Sequence, residues 1–215
     1  MKGFDRSFFE KMAVAKEGFE VVICWGPKGC PNAITSSQEL AEKIKKFLEE
    51  EKITEFLMEK TKGRLKKHNK FKVGIAECPN ACSQIYIMDI AIHGFLEPYI
   101  EESSCDLCGS CKEACEEDAI TLEETSAKVN LEKCVGCGSC EKVCEKGAIK
   151  RKFTGYKMYL GGKLGRHPRL ATFYKILSSP EEVFEEVKKI VKFYKEKNQK
   201  GERLGAILER ENLDI

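Results

Sequence analysis

Apolar positions along the chain switch between two periods. Glu20–Cys24 (EVVIC) is a short apolar run ending on a cysteine, with the length and β-branching of a buried strand. Leu40, Ile44, Phe47 and Leu48 then recur at helical spacing and define one apolar face. Ser36 and Glu39 stand before them at capping-box spacing, which predicts a helix start at that point. Phe71–Ala76 predicts a buried strand, and the near-continuous apolar run Ile85–His93 predicts another. Pro98 and Glu101-Glu102 mark a boundary, and strand character resumes at Tyr156–Leu160. Ser179-Pro180 opens a long helix with proline at its first position. Val183, Val187, Ile190, Val191 and Tyr194 form its core-facing stripe. The pattern is α+β with an insertion.

The insertion, Cys105 to Lys150, is an internal repeat. CDLCGSCKEACEEDAI and CVGCGSCEKVCEKGAI align without gaps. So small a duplicated unit cannot build a large core, so bound metal must organise it. The expected division is one domain from 1–100 with 151–215, carrying an inserted module at 101–150.

Composition changes this picture in one respect. The chain has 215 residues, 42% hydrophobic and 33% charged, which suits a soluble globular protein. A net charge of +2 gives no footprint of a general nucleic-acid binder. No apolar run has the length of a membrane span. Met1 to Glu20 is interrupted by charges and lacks the apolar stretch of a secretory signal, so a cytoplasmic location is expected. The outlier is the count of twelve cysteines. In a reducing compartment these argue for metal rather than disulfides, and all twelve fall in closely spaced groups.

Cys105, Cys108, Cys111 and Cys115 follow C-x2-C-x2-C-x3-C spacing, repeated by Cys134, Cys137, Cys140 and Cys144. In such runs three thiolates hold one four-iron cubane and the fourth reaches to the other cluster. The expected sets are Cys105, Cys108, Cys111 and Cys144, and Cys134, Cys137, Cys140 and Cys115. Zinc, the competing metal, prefers separated ligand pairs. The segment resembles bacterial two-cluster ferredoxins, including Ala119-Ile120 and Ala148-Ile149 after the fourth cysteines. It departs from them where Glu116 and Glu145 replace the usual proline.

The remaining cysteines are spaced differently. Cys24 and Cys30 form C-x5-C, and Cys78 and Cys82 form C-x3-C. Together they resemble the cluster motif of the sulfite and nitrite reductase family, which implies a third [4Fe-4S] cluster and, beside it, sirohaem. The resemblance makes Cys82 the thiolate shared with the sirohaem iron. It implies a sulfite reductase-type half domain, a mixed sheet with helices, carrying the ferredoxin-like module. Lys70 and Lys72 resemble a lysine-bearing strand of that family, which implies a catalytic role binding an anionic substrate and helping protonate its departing oxygens. The loop GGKLGRHPR also resembles a family loop, which implies that Lys163, Arg166 and Arg169 pair with sirohaem carboxylates. None of His68, His93 and His167 is assigned to metal, and His167 lies nearest this loop. Full-size family members carry a second, pseudo-symmetric half. Here a second chain, identical or different, completes the pocket, or the site stays open.

Three functions remain consistent with these residues. One is a sirohaem enzyme that reduces sulfite or nitrite with electrons from an external donor. Another is an electron-transfer protein with three clusters and no sirohaem. The third is a cofactor-binding or sensing protein without turnover. The basic run Lys60 to Lys72 suits an acidic donor, or is simply a solvated helix end and loop. The acidic patches at Glu101-Glu102 and Glu116-Glu117 suit a basic partner, and the sequence does not rank them.

Overall fold

A computed structural model describes residues 17–213. The charged N-terminal stretch read for targeting lies largely outside them. Five strands form one mixed sheet: β1 (Phe19–Ile23), β2 (Phe71–Ala76), β3 (Ile90–Ile100), β6 (Ile149–Leu160) and β7 (Thr172–Leu177). They lie side by side in that order. β1, β2 and β3 run parallel, and β6 and β7 return antiparallel. Two short strands of the insertion, β4 (Ile120–Leu122) and β5 (Ala127–Val129), pair separately.

Helices cover one face of the sheet. α1 (Gln38–Glu50), α2 (Ile53–Lys60), α5 (Pro180–Lys197) and α6 (Leu204–Arg210) pack Ile44, Leu48, Val187, Val191 and Tyr194 against Ile75, Ile90, Ile92 and Met158. α5 starts as its sequence predicts. Ser179 Oγ accepts from the Glu182 backbone N–H at 3.2 Å, and Glu182 Oε2 accepts from the Ser178 N–H at 2.8 Å. Ser179→Ala is expected to cost about 1 kcal/mol, read by chemical unfolding of the cluster-loaded chain.

The predicted capping box of α1 does not form. The helix begins at Gln38 with Ser37 before it, and Ser37 does not cap it with its side chain. Its N–H and hydroxyl both donate to Glu77 Oε1, at 2.8 Å each. Glu77 is buried, and a buried carboxylate takes the available donors first.

Two strands differ from their sequence reading. Ile85–Ile87 is a 3-10 turn, and the strand starts at Ile90 and continues through Pro98 to Ile100. Pro98 is accommodated where the register with β6 shifts between Glu97 and Pro98. β6 begins at Ile149, within the second repeat, and pairs there with Ile100. The insertion is therefore the connection at the tip of a long β3–β6 hairpin.

Within it, α3 (Ser110–Glu113) and α4 (Ser139–Lys142) are equivalent turns of the duplicated unit. Leu107 and Gly136 are aligned in the repeat, and both have positive φ, +59° and +79°. Only the second must be glycine. A Cβ on Gly136 would lie 2.5 Å from Leu96 O, because the Leu96 N–H donates to Gly136 O at 3.0 Å and holds the unit on β3. No helix of the described residues is long and apolar enough to cross a membrane.

Candidate functional site

The twelve thiols are all unpaired by disulfides and gather into three groups of four. Cys105, Cys108, Cys111 and Cys144 ring one small hollow. Cys115, Cys134, Cys137 and Cys140 ring a second. Cys24, Cys30, Cys78 and Cys82 ring a third. Cys115 sits with the second run's cysteines, and Cys144 with the first run's. These are the sets expected from the spacing.

Chain geometry explains the convergence. β1 and β2 are parallel neighbours, so the segments leaving their C-terminal ends emerge side by side. The first carries Cys24 and Cys30, the second Cys78 and Cys82. Cys24 Sγ accepts from the backbone N–H groups of Gly26 and Glu77, each at 3.3 Å, which ties the two segments through one sulfur. In the insertion the Ala119 N–H donates to Cys115 Sγ at 3.3 Å. A shared apolar cluster of Ile100, Ile120, Ala127, Val129 and Ile149 buries Cys111 and Cys140 between the two groups.

The electrostatics fit a cationic core in each hollow. Burial pushes the thiols of Cys78, Cys111 and Cys134 up, and that of Cys140 to about 12. Neighbouring cysteines of the same group push further in the same direction: Cys30 and Cys24 on Cys78, Cys137 and Cys115 on Cys134. Four mutually repelling sulfurs become thiolates only around positive charge. Among the described residues, no three His, Cys, Asp or Glu side chains converge tightly enough for a single metal ion. The thiols ring wider hollows, and a four-iron core spreads its ligands over four metals.

A fourth and much larger hollow lies on the face of the sheet opposite the helices. It is open to solvent and has a volume of about 580 Å³. Cys78, Pro79 and Asn80 form one wall, and Cys115, Cys134 and Cys137 form another. His93, Lys157, Tyr159 and Tyr86 also line it. His93 Nδ1 lies 3.0 Å from Gly94 O, and Nε2 lies 3.3 Å from Tyr159 Oη. A carbonyl only accepts, so Nδ1 carries the hydrogen and Tyr159 donates to Nε2. Burial holds His93 below the usual histidine range, which keeps the ring neutral. Lys157 Nζ lies 4.7 Å from the Phe95 ring centroid. The sequence reading missed this aromatic and histidine lining. Alternation along β3 and β6 puts His93, Lys157 and Tyr159 on one face, but only the pairing His93↔Lys157 and Ala91↔Tyr159 makes them one surface.

Lys70 and Lys72 are not brought to the cysteines. They stand at the start of β2, while Cys78 follows its end, about 20 Å away along an extended chain. Lys72 Nζ is paired with Glu20 at 3.0 Å, and its N–H donates to Asp89. Lys70 precedes the strand, and alternation carried no information about which end of the strand holds the chemistry.

The loop of Lys163 to Arg169 is closed at its base by a backbone bridge between those two residues. Gly162 packs so close to Tyr86 O and Met88 that a Cβ would lie 2.3 Å from the former. The Ala171 N–H donates to Tyr86 O at 2.7 Å. The loop is thus anchored beside the segment that follows Cys82. Lys163 is turned away into a 2.7 Å ion pair with Glu209, and Arg169 Nη2 donates to Thr172. Arg166 and His167 are exposed at the tip, and Cys82 is exposed nearby in sequence to the anchor.

Comparison with known proteins follows the same lines. The model of the nitrite and sulphite reductase 4Fe-4S domain matches residues 16–214. The chain is 36% identical over 191 residues to the coenzyme F420-dependent sulfite reductase of Methanocaldococcus jannaschii, covering 88% of this chain and 28% of that protein. It is 31% identical over 111 residues to an uncharacterised protein of the same organism, covering 52% and 35%. The crystal structure of dissimilatory sulfite reductase I superposes with a TM-score of 0.59 at 18% identity, over 92% of this chain and 51% of that one, a likeness of fold. The chain therefore spans about a quarter to a third of the curated relatives it matches. With a match over nearly its whole length, the chain belongs to the nitrite and sulphite reductase 4Fe-4S domain family.

Proposed function

We propose that this chain is an iron–sulfur oxidoreductase that reduces sulfite, with nitrite as the alternative oxyanion, at a sirohaem coupled to one of three [4Fe-4S] clusters. The observation that carries the reading is the sorting of twelve cysteines into three complete quartets, with an open hollow of about 580 Å³ between two of them that Cys78 lines and Cys82 and Arg166 do not. Cys24, Cys30, Cys78 and Cys82 hold the cluster next to the catalytic centre. Cys82, the exposed member, is the thiolate available to a second metal. Sirohaem, when bound, supplies the iron at which the oxyanion loses its oxygens.

The chain's own groups do the rest. Arg166, exposed at the tip of its anchored loop, is the cation available to the macrocycle's carboxylates. Lys163 and Arg169 shape that loop through Glu209 and Thr172. Lys157, which has no carboxylate partner among the described residues, offers positive charge to an anion in the hollow. Tyr86 lines the hollow with a hydroxyl donor, while the Tyr159 O–H is committed to neutral His93. The inserted module at 101–150, read as a two-cluster ferredoxin unit, passes electrons inward from an external donor.

Anaerobic purification from a host that makes sirohaem tests this reading. The expected sample shows tetrapyrrole absorption and oxidises reduced viologen when sulfite or nitrite is added. An iron-replete sample without tetrapyrrole bands and without turnover would instead be the electron-transfer protein of the second reading.

A further inference from the structure

We infer that electrons enter this chain at the quartet of Cys105, Cys108, Cys111 and Cys144, from a one-electron donor with a basic contact face, and leave the module through the Cys115 quartet. The inference rests on the three-cluster reading above and adds the order of the clusters, the entry surface and the chemistry of the donor.

The three quartets differ in what they touch. Only two of them carry an exposed thiol, Cys108 in one and Cys82 in another. Every thiol of the Cys115 quartet is buried or half-buried. That quartet also has neighbours on both sides. Cys140 is buried together with Cys111 of the Cys105 quartet in one apolar cluster. Cys115, Cys134 and Cys137 face Cys78 across the large hollow. The quartets are therefore arranged in a line, with the Cys115 set in the middle. Cys82 stands at the catalytic end, so Cys108 marks the end open to a donor.

Charge sets the kind of donor. Residues 101–148 carry twelve Asp and Glu against five Lys, whereas the rest of the chain has an excess of Lys and Arg. Around Cys108 the surface holds exposed Glu113 and Asp106, whose carboxylate accepts from the Cys108 N–H at 3.2 Å and lies 3.8 Å from Lys146 Nζ, so the acidic excess of this face comes from the net charge of the module. Leu122, 40% exposed and next to Gly109, gives this patch an apolar centre. An acidic rim around a partly apolar contact steers a basic partner. The structure also separates the two acidic patches of the sequence. Glu116 and Glu117 line the inner hollow with the middle quartet, while the Cys108 face looks outward.

Stopped-flow reduction of the cluster-loaded chain by the methyl viologen radical cation tests the assignment. Asp106→Asn with Glu113→Lys is expected to slow reduction several-fold at low salt and to flatten its dependence on ionic strength. Asparagine keeps an acceptor for the Cys108 N–H, and unchanged iron content verifies that the cluster is intact. Glu116→Lys with Glu132→Lys, two lining residues of the large hollow where a donor would instead reach the middle quartet, should have the smaller effect. If the rival pair slows reduction as much or more, or if the Cys108 pair changes nothing, the entry point is wrong. Iron determined beforehand separates the two failures: a chain with fewer than three clusters refutes the three-cluster reading, and this inference with it. Loss of sulfite turnover alone touches neither, because cluster reduction is read directly.

Discussion

Replacing Asp89 by alanine is expected to cost about 3–5 kcal/mol of stability. Its side chain is completely buried. One oxygen accepts from the Leu204 N–H at 2.8 Å and the other from the Lys72 N–H at 2.7 Å. Arg203 Nε approaches both, at 2.9 and 2.7 Å. The same guanidinium donates through Nη2 to Ile87 O and Gly162 O, at 3.3 and 3.0 Å. One carboxylate thus joins β2, the turn before β3, the start of α6 and the loop that carries Arg166. Alanine leaves a nearly buried guanidinium without its counter-charge and two backbone N–H groups without acceptors. Denaturant unfolding of the cluster-loaded chain under anaerobic conditions measures the loss. Asp89→Ala combined with Arg203→Met should cost less than the sum of the two single changes, because no charge is then stranded. A loss below about 1 kcal/mol for Asp89→Ala would show that this network is not what holds the loop.

Cys78→Ala should remove one cluster and leave two. Cys78 is the most buried thiol of its quartet, so its loss leaves one iron of that core without a protein thiolate in an apolar surrounding and destabilises the cluster. Iron should fall by about one third, and sulfite turnover should fall below detection. The module quartets draw every thiol from 105–144, so their clusters should still take electrons from a reduced dye. Loss of all iron would mean that the domain and its insertion do not fold separately around their clusters.

The cysteine sets were legible because thiolate spacing is itself a coordination geometry. The crossing of Cys115 and Cys144 was expected from the two-cluster ferredoxin pattern, and the third set from the resemblance to the sulfite and nitrite reductase family. The long helix was legible through its cap and stripe, and β2 through an apolar run of strand length. β3 and β6 were misplaced because hydrogen bonding extends the hairpin beyond its apolar runs, through Pro98 on one arm and Lys150, Arg151 and Lys152 on the other. β7 left little signal, since it is an edge strand whose Phe173 and Ile176 remain about half exposed. The lining of the large hollow was hidden for a different reason. His93, Lys157 and Tyr86 come from separate elements, and only strand register and the Tyr86 turn bring them together.

Crystals grown without oxygen and measured just above the iron absorption edge test the central claim most directly. The anomalous map should show three compact groups of iron, one inside each ring formed by Cys24, Cys30, Cys78 and Cys82, by Cys105, Cys108, Cys111 and Cys144, and by Cys115, Cys134, Cys137 and Cys140. An anomalous signal that appears instead at the zinc edge, or rings that contain no metal while the cysteines bind it elsewhere, would contradict the account.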